Sequence, residues 1–543
     1  MARDEFELQD HGAPIVIGSD RGSSVAKDVV NVDQHERHTS DSNKAVAGVS
    51  VDRISNNEPD GFNNILEEKT HPQYTAKCWT SQRKWMILVA MWFVQVSQNY
   101  NAAVFPSMFP FIEEHFHKTS EQANIGQMLF LVLYAFGCEL WAPFSEDFGR
   151  KWVLFSSLFL VFCWQILLGA SPTFTAILVA RALGGLSSAG GSVTLGMVAD
   201  MYEPETQFQA VAFTCFGSVS GSVFAPIISG IVAMTLGGRW VAYMSVILAG
   251  LTILIHLFIV PETRAEVLLD RKAKQIRVTD AEGPGKDIKG PWEANPLKAR
   301  LQPRAVWKML YRPYVLLITE PIVLFNSLLS GFSDALIFSG LESFGYIMAK
   351  WNFNQAQVGY CFASLMIGYI IGWALWSLHY RLNPGRPAKN NNCPEERLWL
   401  LCWIVPLEAA GLIGLAFCSL GPNYGVPWIA PLICVGLVGI ANYGIYIATI
   451  DYLIAAYGPY AASATGGNGF CRDLFAGLAA LYTKKAYTTI AVNTPYELVW
   501  PTLIFGIIGV ALAVPVYVFY FKGEWFRVRS KYAMDLEAER QGH

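Results

Sequence analysis

Apolar segments long enough to cross a lipid bilayer recur along this 543-residue chain. A spanning helix needs about 20 mainly apolar residues, because lipid offers its backbone no hydrogen-bond partners. Such segments lie near residues 85–108, 122–144, 152–170, 175–199, 208–236 and 240–260, and then near 315–347, 356–380, 398–419, 426–455, 459–483 and 497–521. The sequence therefore predicts an all-α membrane protein with twelve spanning helices.

The composition agrees with a membrane protein and argues against several other classes. Only 15% of the residues are charged, against roughly 25% in soluble domains. The formal net charge of −3 gives no basic field that would attract nucleic acid. The ten cysteines have neither disulfide-frame nor zinc-site spacing. We find no phosphate-binding loop, zinc-protease motif, nucleophile elbow or dinucleotide-binding glycine pattern, so we expect neither an enzyme nor a cofactor.

A polar stretch from about Pro261 to Pro313 divides the apolar segments into two groups of six. We therefore predict a first half at 81–262, a central loop at 263–313 and a second half at 314–521. The first 80 residues are rich in Asp, Glu, Ser, Asn and His, which predicts a disordered tail at 1–80, and a second tail follows at 522–543. We find no cleavable signal peptide, so we expect the first span to direct membrane insertion.

Basic residues near the predicted spans collect at one end of the bundle. They are Arg83, Lys84, Arg150, Lys151, Arg271, Lys272, Lys274, Arg277, Lys522, Arg527, Arg529 and Lys531. The other end has fewer, namely Lys118, Arg239, Lys350, Lys484 and Lys485. Because basic flanks stay in the cytoplasm, we predict that both termini and the central loop are cytoplasmic. We expect the plasma membrane, with an internal membrane as the alternative.

An internal repeat supports two related halves. Leu140-Trp141 followed by Gly149-Arg150 matches Leu375-Trp376 followed by Gly385-Arg386, and each joins the second span of its half to the third. Asp200 at the end of the fourth span matches Asp451 at the end of the tenth. Two pseudo-symmetric halves of this kind place a substrate site near the middle of the membrane, between them.

Several motifs resemble those of the major facilitator superfamily. Residues 142–151 read Ala-Pro-Phe-Ser-Glu-Asp-Phe-Gly-Arg-Lys and resemble its cytoplasmic signature after the second span, although Ala142 replaces a glycine and Asp147 a basic residue. Residues 181–185 resemble its intramembrane arginine motif, and 217–230 resemble the fifth-span motif of its drug:proton antiporters. The resemblance to the fungal twelve-span branch implies the major facilitator fold and proton-coupled transport.

Two of these motifs have properties that suit gating. Opposite charges surround Gly149 within one short turn, carried by Glu146, Asp147, Arg150 and Lys151. They can pair with a neighbouring helix in one conformation and release it in another; a charge cluster that merely ends membrane insertion is the alternative. Gly217, Gly221, Ala225 and Ser229 recur every four residues, so that one face of the helix allows close helix approach. In the same motif Gly230 follows, and Pro226 permits a kink. Tight packing alone is the alternative there.

Ionisable residues inside predicted spans are candidates for function, because burying charge in a membrane is costly. They are Arg181, Asp334, Glu342, Glu408, Arg472 and Asp473, with Glu139 near a helix end. Asp334 and Glu342 lie eight residues apart near one face of the seventh span, and either is a candidate proton carrier or a buried partner of another helix. Arg472 and Asp473 also suit a structural ion pair. Glu139 and Glu408 are weaker candidates, because both suit a position near the lipid headgroups.

The resemblance implies that the first, fourth, seventh and tenth spans line a path, and polar faces on the first and tenth predict part of its lining. The first span has Gln95, Gln98 and Asn99, the tenth has Asn442, Tyr443 and Tyr446, and the eleventh has Asn468 one turn before Arg472. An aromatic belt at the membrane surface is the alternative for the tyrosines.

We therefore expect a monomer that exports small amphipathic molecules, such as drugs or secondary metabolites, in exchange for protons. Proton-coupled uptake of an organic cation such as a polyamine is an alternative, favoured if Asp334 and Glu342 both face the path ionised. A non-transporting sensor that signals through the tail is the other.

Overall fold

The computed structural model describes residues 65–203, 206–279, 287–295, 303–382, 394–530 and 532–533. Within these ranges, twelve long helices follow the predicted order. They are α1 (Ser81–Ala103), α2 (Ser120–Phe148), α3 (Arg150–Ala170), α4 (Phe174–Met201), α5 (Phe208–Thr235), α6 (Gly238–Ile259), α7 (Pro321–Met348), α8 (Gln355–Leu382), α9 (Trp399–Cys418), α10 (Ile429–Tyr457), α11 (Ala461–Thr489) and α12 (Val499–Arg527). The prediction of an all-α fold with twelve long helices is confirmed.

Shorter helical pieces connect the long helices. The α-helical pieces are Phe109–Phe116, Ala265–Thr279, Pro291–Ala294 and Pro303–Thr319. The 3₁₀ turns are Pro72–Tyr74, Ala76–Cys78, Phe105–Met108, Ala189–Ser192, Ala349–Trp351, Pro394–Leu398, Pro422–Tyr424 and Gly458–Tyr460. The turn Ala189–Ser192 lies inside α4, and the α-helical part of α8 is interrupted at Phe362.

Ten helices in the described part of the chain are long and apolar enough to cross a membrane. The other two long helices, α1 and α11, contain more polar residues and bury them against protein. Gln98 in α1 is fully buried, and so are Asn468 and Asp473 in α11, at 1% and 5% exposure. These two helices are less apolar than the others because they carry polar side chains, and those side chains are buried against protein inside the bundle.

The two halves repeat one pattern of helix pairs. In the first half α1 packs on α5, α2 on α4 and α3 on α6; in the second half α7 packs on α11, α8 on α10 and α9 on α12. The halves meet where α2 contacts α11 and where α5 contacts α8. We call the end of the bundle where α1 begins and α12 ends the basic end, and the other the opposite end.

The structure differs from the predicted domain limits at the basic end. Residues 65–80 are packed instead of forming a tail. Ala76 is fully buried in a cluster with Leu88 of α1. Leu66 is 4% exposed, contacts Leu269 and Ala273, and donates its backbone N–H to Lys289 O at 3.0 Å. The predicted central loop contains the helix Ala265–Thr279, whose apolar face covers Leu66. Residues 1–64 of the predicted tail and 534–543 lie outside the described residues.

Candidate functional site

A small cavity lies between the two halves, near the middle of the long helices. Its volume is about 30 Å³, enough for a water molecule but far below the several hundred Å³ of a typical ligand pocket. Its polar lining comes from both halves and consists of Asn99, Tyr134, Ser218, Ser222, Ser330, Ser333, Asp334, Tyr369, Asn442, Tyr446, Arg472 and Asp473. At this volume the central cavity does not accommodate an organic substrate.

The charged groups of this central cavity come from α7 and α11. Arg472 Nη2 lies 3.3 Å from Asp473 Oδ1, and the guanidinium lies 4.6 Å from the centre of the Tyr446 ring. Asp334 lines the same cavity and interacts electrostatically with Arg472. Two carboxyl groups thus share one guanidinium, which leaves one carboxyl able to take up a proton or a cation.

The predicted polar stripe on α1 is divided between two environments. Asn99 lines the central cavity. Gln95 instead donates its side-chain amide to Gly191 O at 3.1 Å and to Thr194 Oγ1 at 2.7 Å in α4. Gln98 is fully buried and is absent from the cavity lining. Of the three polar residues of α1 that were expected to line the path, only Asn99 lines this cavity. Gln95 and Gln98 pack within the first half.

The predicted residues of α10 and α11 are likewise divided. Asn442 and Tyr446 line the central cavity rather than a membrane surface. The Tyr443 hydroxyl donates to Ala212 O in α5 at 2.9 Å, so this side chain joins the two halves. Asn468 is 1% exposed and its Nδ2 lies 3.5 Å from Ser327 Oγ, between α11 and α7.

Arg181 lies inside the first half and outside the central cavity. Its Nη1 donates to Asn101 O at 2.8 Å and its Nη2 donates to Gln127 Oε1 at 3.0 Å. The guanidinium lies 4.5 Å and 4.0 Å from the ring centres of Phe105 and Phe130. Arg181 therefore binds α1, α2 and α4 to one another.

Glu342 lines a second and larger cavity at the opposite end of the bundle. This outer cavity has a volume of about 400 Å³ and lies between helices of the two halves. Glu342 adjoins Asn124 of α2 and shares the cavity with Lys484 of α11. Asp334 and Glu342 thus face different cavities, and Lys484 lies near the Glu342 carboxyl group in the outer cavity.

Glu139 and Glu408 are buried in protein, which corrects the expectation that they lie near lipid headgroups. Glu408 is 1% exposed in the middle of α9, and its Oε1 accepts a hydrogen bond from the Ser333 hydroxyl. Glu139 is 7% exposed at the contact of α2 with α11, where an added Cβ on Gly466 would lie 2.9 Å from its Oε1. Hydropathy does not reveal these positions because it does not say which helix face meets protein.

The predicted charge cluster after α2 is held together at the basic end. Arg150 Nε lies 3.1 Å from Asp200 Oδ2 in α4, and its Nη2 lies 3.8 Å from Glu146 Oε1. The backbone N–H groups of Arg150 and Lys151 donate to the Glu262 carboxylate at 2.9 and 3.2 Å, which caps the start of α3. Asp147 is half-buried in the last turn of α2.

Gly149 is required between α2 and α3. Its φ of +92° is a backbone conformation that L side chains rarely adopt, and an added Cβ would lie 2.8 Å from Glu262 Oε2. The glycine therefore allows the capping carboxylate to approach the first N–H groups of α3.

The second half has a related charge cluster with a different partner. Asp451 corresponds to Asp200, and its Oδ1 accepts a hydrogen bond from Arg397 Nη1 at 2.5 Å. Arg527 Nε pairs with Glu395 Oε1 at 2.7 Å beside it. Arg386, which the sequence repeat matched to Arg150, lies outside the described residues.

The small residues of α5 contact one helix from each half. Added Cβ atoms on Gly217 and Gly221 would lie 2.8 Å from the Trp92 ring and 2.5 Å from Val96 O in α1. On Gly230 the added Cβ would lie 3.0 Å from Gln355 O in α8. Pro226 lies inside α5 without ending it. The strip thus serves packing within the first half and contact between the halves.

Ser333, Tyr134 and Tyr369 line the central cavity although the sequence analysis did not single them out. Ser333 carries a signal, since it is a hydroxyl next to Asp334 within an apolar span. The tyrosines carry none, because aromatic residues are common throughout the spans. Within the described residues, no group of three or more His, Cys, Asp or Glu side chains could hold a metal ion.

Comparison with known proteins gives consistent relatives. The family model of the Major Facilitator Superfamily matches residues 91–480. The MFS-type transporter kojT of Aspergillus flavus is 27% identical over 474 residues, covering 84% of this chain and 80% of the relative. The multidrug transporter FLU1 of Candida albicans is 26% identical, covering 81% and 71%. The cercosporin transporter CTB4 of Cercospora nicotianae is 27% identical, covering 84% and 86%.

A solved structure shares the fold. The xylose transporter XylE of E. coli, in a partially occluded inward-open conformation, superposes with a TM-score of 0.54 at 16% identity. The match covers 81% of this chain and 98% of that chain.

Proposed function

Since this chain belongs to the Major Facilitator Superfamily and is a multi-pass membrane transporter, we propose that it exports small amphipathic molecules in exchange for protons. The observation that carries the proposal is the group of Asp334, Arg472 and Asp473 around one cavity between the halves. An unbalanced charge at this depth of a membrane is costly. A bound proton removes that cost when the cavity is closed and empty.

Exchange follows if proton and substrate compete for the same carboxyl groups. A substrate that enters with a positive charge or hydrogen-bond donors takes the place of the proton beside Asp334. When the substrate leaves, a proton must return before the cavity closes again. Movement of the substrate in one direction is then coupled to movement of a proton in the opposite direction.

Aromatic side chains around the carboxyl groups favour amphipathic substrates. Tyr134, Phe338, Tyr369 and Tyr446 surround the cavity. Their rings supply apolar and cation-binding surfaces, and the tyrosine hydroxyls supply hydrogen bonds. The names of FLU1, a multidrug transporter, and CTB4, a cercosporin transporter, support drugs or secondary metabolites as the substrate class.

The two cavities support alternating access by rocking of the halves. The central cavity is too small for an organic substrate, whereas the outer cavity of about 400 Å³ lies between the halves at the opposite end. We assign the basic end to the cytoplasm, so the outer cavity faces away from it. We also propose the plasma membrane as its location. A monomer as the functional unit is supported by the two halves around the central cavity, which belong to one chain.

Proton movement in sealed vesicles tests this proposal. Purified full-length protein is reconstituted with a trapped pH indicator, and lipophilic cations, polyamines and organic acids are added in turn. We expect an amphipathic compound to evoke proton movement in the parent and in Glu342→Gln, and none in Asp334→Asn. Glu342 is the matched control because it lies on α7 but lines the outer cavity.

The direction of proton movement separates the alternatives. Movement opposite to the substrate supports export by exchange, whereas movement in the same direction with polyamines supports cation uptake. Transport of a compound without any proton movement would overturn the coupled mechanism.

A further inference from the structure

Glu408 is a buried carboxyl group with an incomplete set of partners. It lies in α9, 1% exposed, and its Oε1 accepts a hydrogen bond from the Ser333 hydroxyl of α7. Its Oε2 is buried and has no hydrogen-bond partner among the described residues. Among the described residues, no cationic side chain forms an ion pair with Glu408. Packing alone does not explain an acid at this position.

The surroundings of Glu408 favour its protonated form. Helix α9 packs on α10 and α12, and Ser333 of α7 reaches Glu408. Among the described residues of these helices, no titratable or charged side chain interacts with this carboxyl. Asp334 on α7 faces the central cavity instead. An ionised carboxylate without a counter-charge is strongly disfavoured when it is buried from water. The carboxyl therefore holds a proton in this conformation, and Oε2 is the oxygen free to carry it.

A single hydroxyl group separates Glu408 from the central cavity. Ser333 lines that cavity beside Asp334. Asn442 Nδ2 donates to Ser333 Oγ at 3.0 Å and to Ser333 O at 3.1 Å, which fixes the serine side chain. The hydroxyl hydrogen points to Glu408, and Asn442 occupies one lone pair of Oγ. The second lone pair remains available to a proton donor in the cavity.

We propose that Glu408 is a second proton-binding site of this transporter, which exchanges its proton with the central cavity through the Ser333 hydroxyl. This inference rests on the proposed proton coupling. It adds Glu408, which lies outside the central cavity, as a second residue that carries a coupled proton. Glu408 stores a proton while the cavity is closed and releases it when opening admits water. The number of protons moved per substrate then exceeds what Asp334 alone supplies.

The transfer balances in atoms and charge. To load an ionised Glu408, a donor in the cavity, the Asp334 carboxyl or a water molecule, gives a proton to Ser333 Oγ. Ser333 gives its own hydrogen to Glu408 Oε1, and a half-turn of the carboxyl group then brings the protonated oxygen to the position of Oε2. The O–H bonds of the donor and of Ser333 break, and new O–H bonds form on Ser333 and Glu408. The negative charge moves from Glu408 to the donor, and release is the reverse process.

Infrared spectroscopy of the full-length protein in vesicles tests the site without a substrate. The carbonyl band of protonated carboxyl groups is recorded against pH for the parent, Glu408→Gln, Glu408→Asp and Asp334→Asn. We expect a band that Glu408→Gln lacks, that Glu408→Asp restores, and that Asp334→Asn retains. If Glu408→Gln folds and leaves every carboxyl band unchanged, the proposal is wrong.

The relay is tested with two serine variants of α7. Ser333→Ala removes the hydroxyl between Glu408 and the cavity. Ser330→Ala is the matched control, because Ser330 also lines the cavity, whereas among the described residues the hydroxyl that bonds Glu408 is that of Ser333. After transfer to heavy water, the shift of the Glu408 band should be slowed about tenfold or more in Ser333→Ala only. Equal rates in both variants would overturn the relay.

The two proposals fail in different ways. If substrates evoke no proton movement in the parent, the proposed exchange is wrong, but the infrared bands still decide whether Glu408 binds a proton. If exchange is observed and Glu408→Gln moves as many protons per substrate as the parent, the second site is wrong and the exchange remains.

Discussion

Arg150 and Asp200 join the basic ends of α3 and α4, with Arg150 Nε 3.1 Å from Asp200 Oδ2 and side-chain exposures of 5% and 9%. The pair has a counterpart in the second half, where Arg397 meets Asp451. Each half therefore carries an ion pair at the same end, between its fourth helix and the residues at the start of its third. These pairs hold the helix ends within each half together.

Replacing Asp200 should destabilise the protein more than replacing Glu146. Asp200→Asn leaves the buried Arg150 guanidinium without its nearest carboxylate, and such a loss costs about 3–5 kcal/mol. Glu146 is 41% exposed and 3.8 Å from Arg150, so Glu146→Gln should cost about 1 kcal/mol or less. Thermal unfolding of both variants in detergent checks this, and similar unfolding temperatures would contradict it.

Two neighbouring glycines of α4 should respond differently to alanine. An added Cβ on Gly185 would lie 2.1 Å from the backbone oxygen of Phe130 in α2, whereas on Gly184 the nearest atom would be 3.7 Å away. Gly185→Ala must therefore push α4 from α2, at a cost of about 1–3 kcal/mol or more. The amount of folded protein and its unfolding temperature should fall for Gly185→Ala and stay near the parent's for Gly184→Ala.

Contact between the halves at the opposite end should depend on Gly359. Its added Cβ would lie 2.5 Å from Pro226 O, across the contact of α8 with α5. Gly359→Ala should therefore disfavour closure of the halves at this end. Gly345→Ala is the control, because an added Cβ there meets no atom within 4 Å although Gly345 lines the same outer cavity.

Spin labels on exposed residues of the two halves measure this effect. With Cys78, an exposed cysteine, replaced by serine, labels at Glu121 and Lys485 report the width of the opposite end. We expect longer distances in Gly359→Ala than in the parent or in Gly345→Ala. Unchanged distances would mean that α5 and α8 do not control this opening.

Acid should release residues 287–295 from the helix Ala265–Thr279. The two Arg277 hydrogen bonds of 2.7 Å hold the pKa of the Glu293 carboxyl below its usual range. Because the pKa is lowered in the folded protein, the contact contributes fully above the ordinary value of about 4.3 and is lost as pH falls through the lowered pKa. Glu293→Gln should reproduce the acid state at neutral pH.

Hydrogen exchange of the amides in residues 287–295 measures this release. Exchange should be faster in Glu293→Gln than in the parent at neutral pH. Lys274→Gln is the control, because Lys274 is 64% exposed and lies 3.8 Å from Glu293. Equal protection in the parent and Glu293→Gln would show that the ion pair does not hold this segment.

Much of the fold follows from local sequence. The fourth span was predicted near 175–199 and α4 covers Phe174–Met201, because the length of an apolar stretch is a property of consecutive residues. The charged turn around Gly149 was also identified, since its members are neighbours in sequence. Its buried pair with Asp200 was not, although the repeat had singled out Asp200, because the two residues come from different helices.

The sequence by itself determined the helix order, the two-half repeat and which spans carry ionisable groups. Only the tertiary structure decided that Asp334 lies with Arg472 at the central cavity, that Glu342 faces the outer cavity, and that Glu408 reaches Ser333. The physical reason is that each residue turns a helix by about 100°, so helix rotation decides which side chains meet. Contact and burial are properties of pairs of helices, and one helix sequence does not contain them.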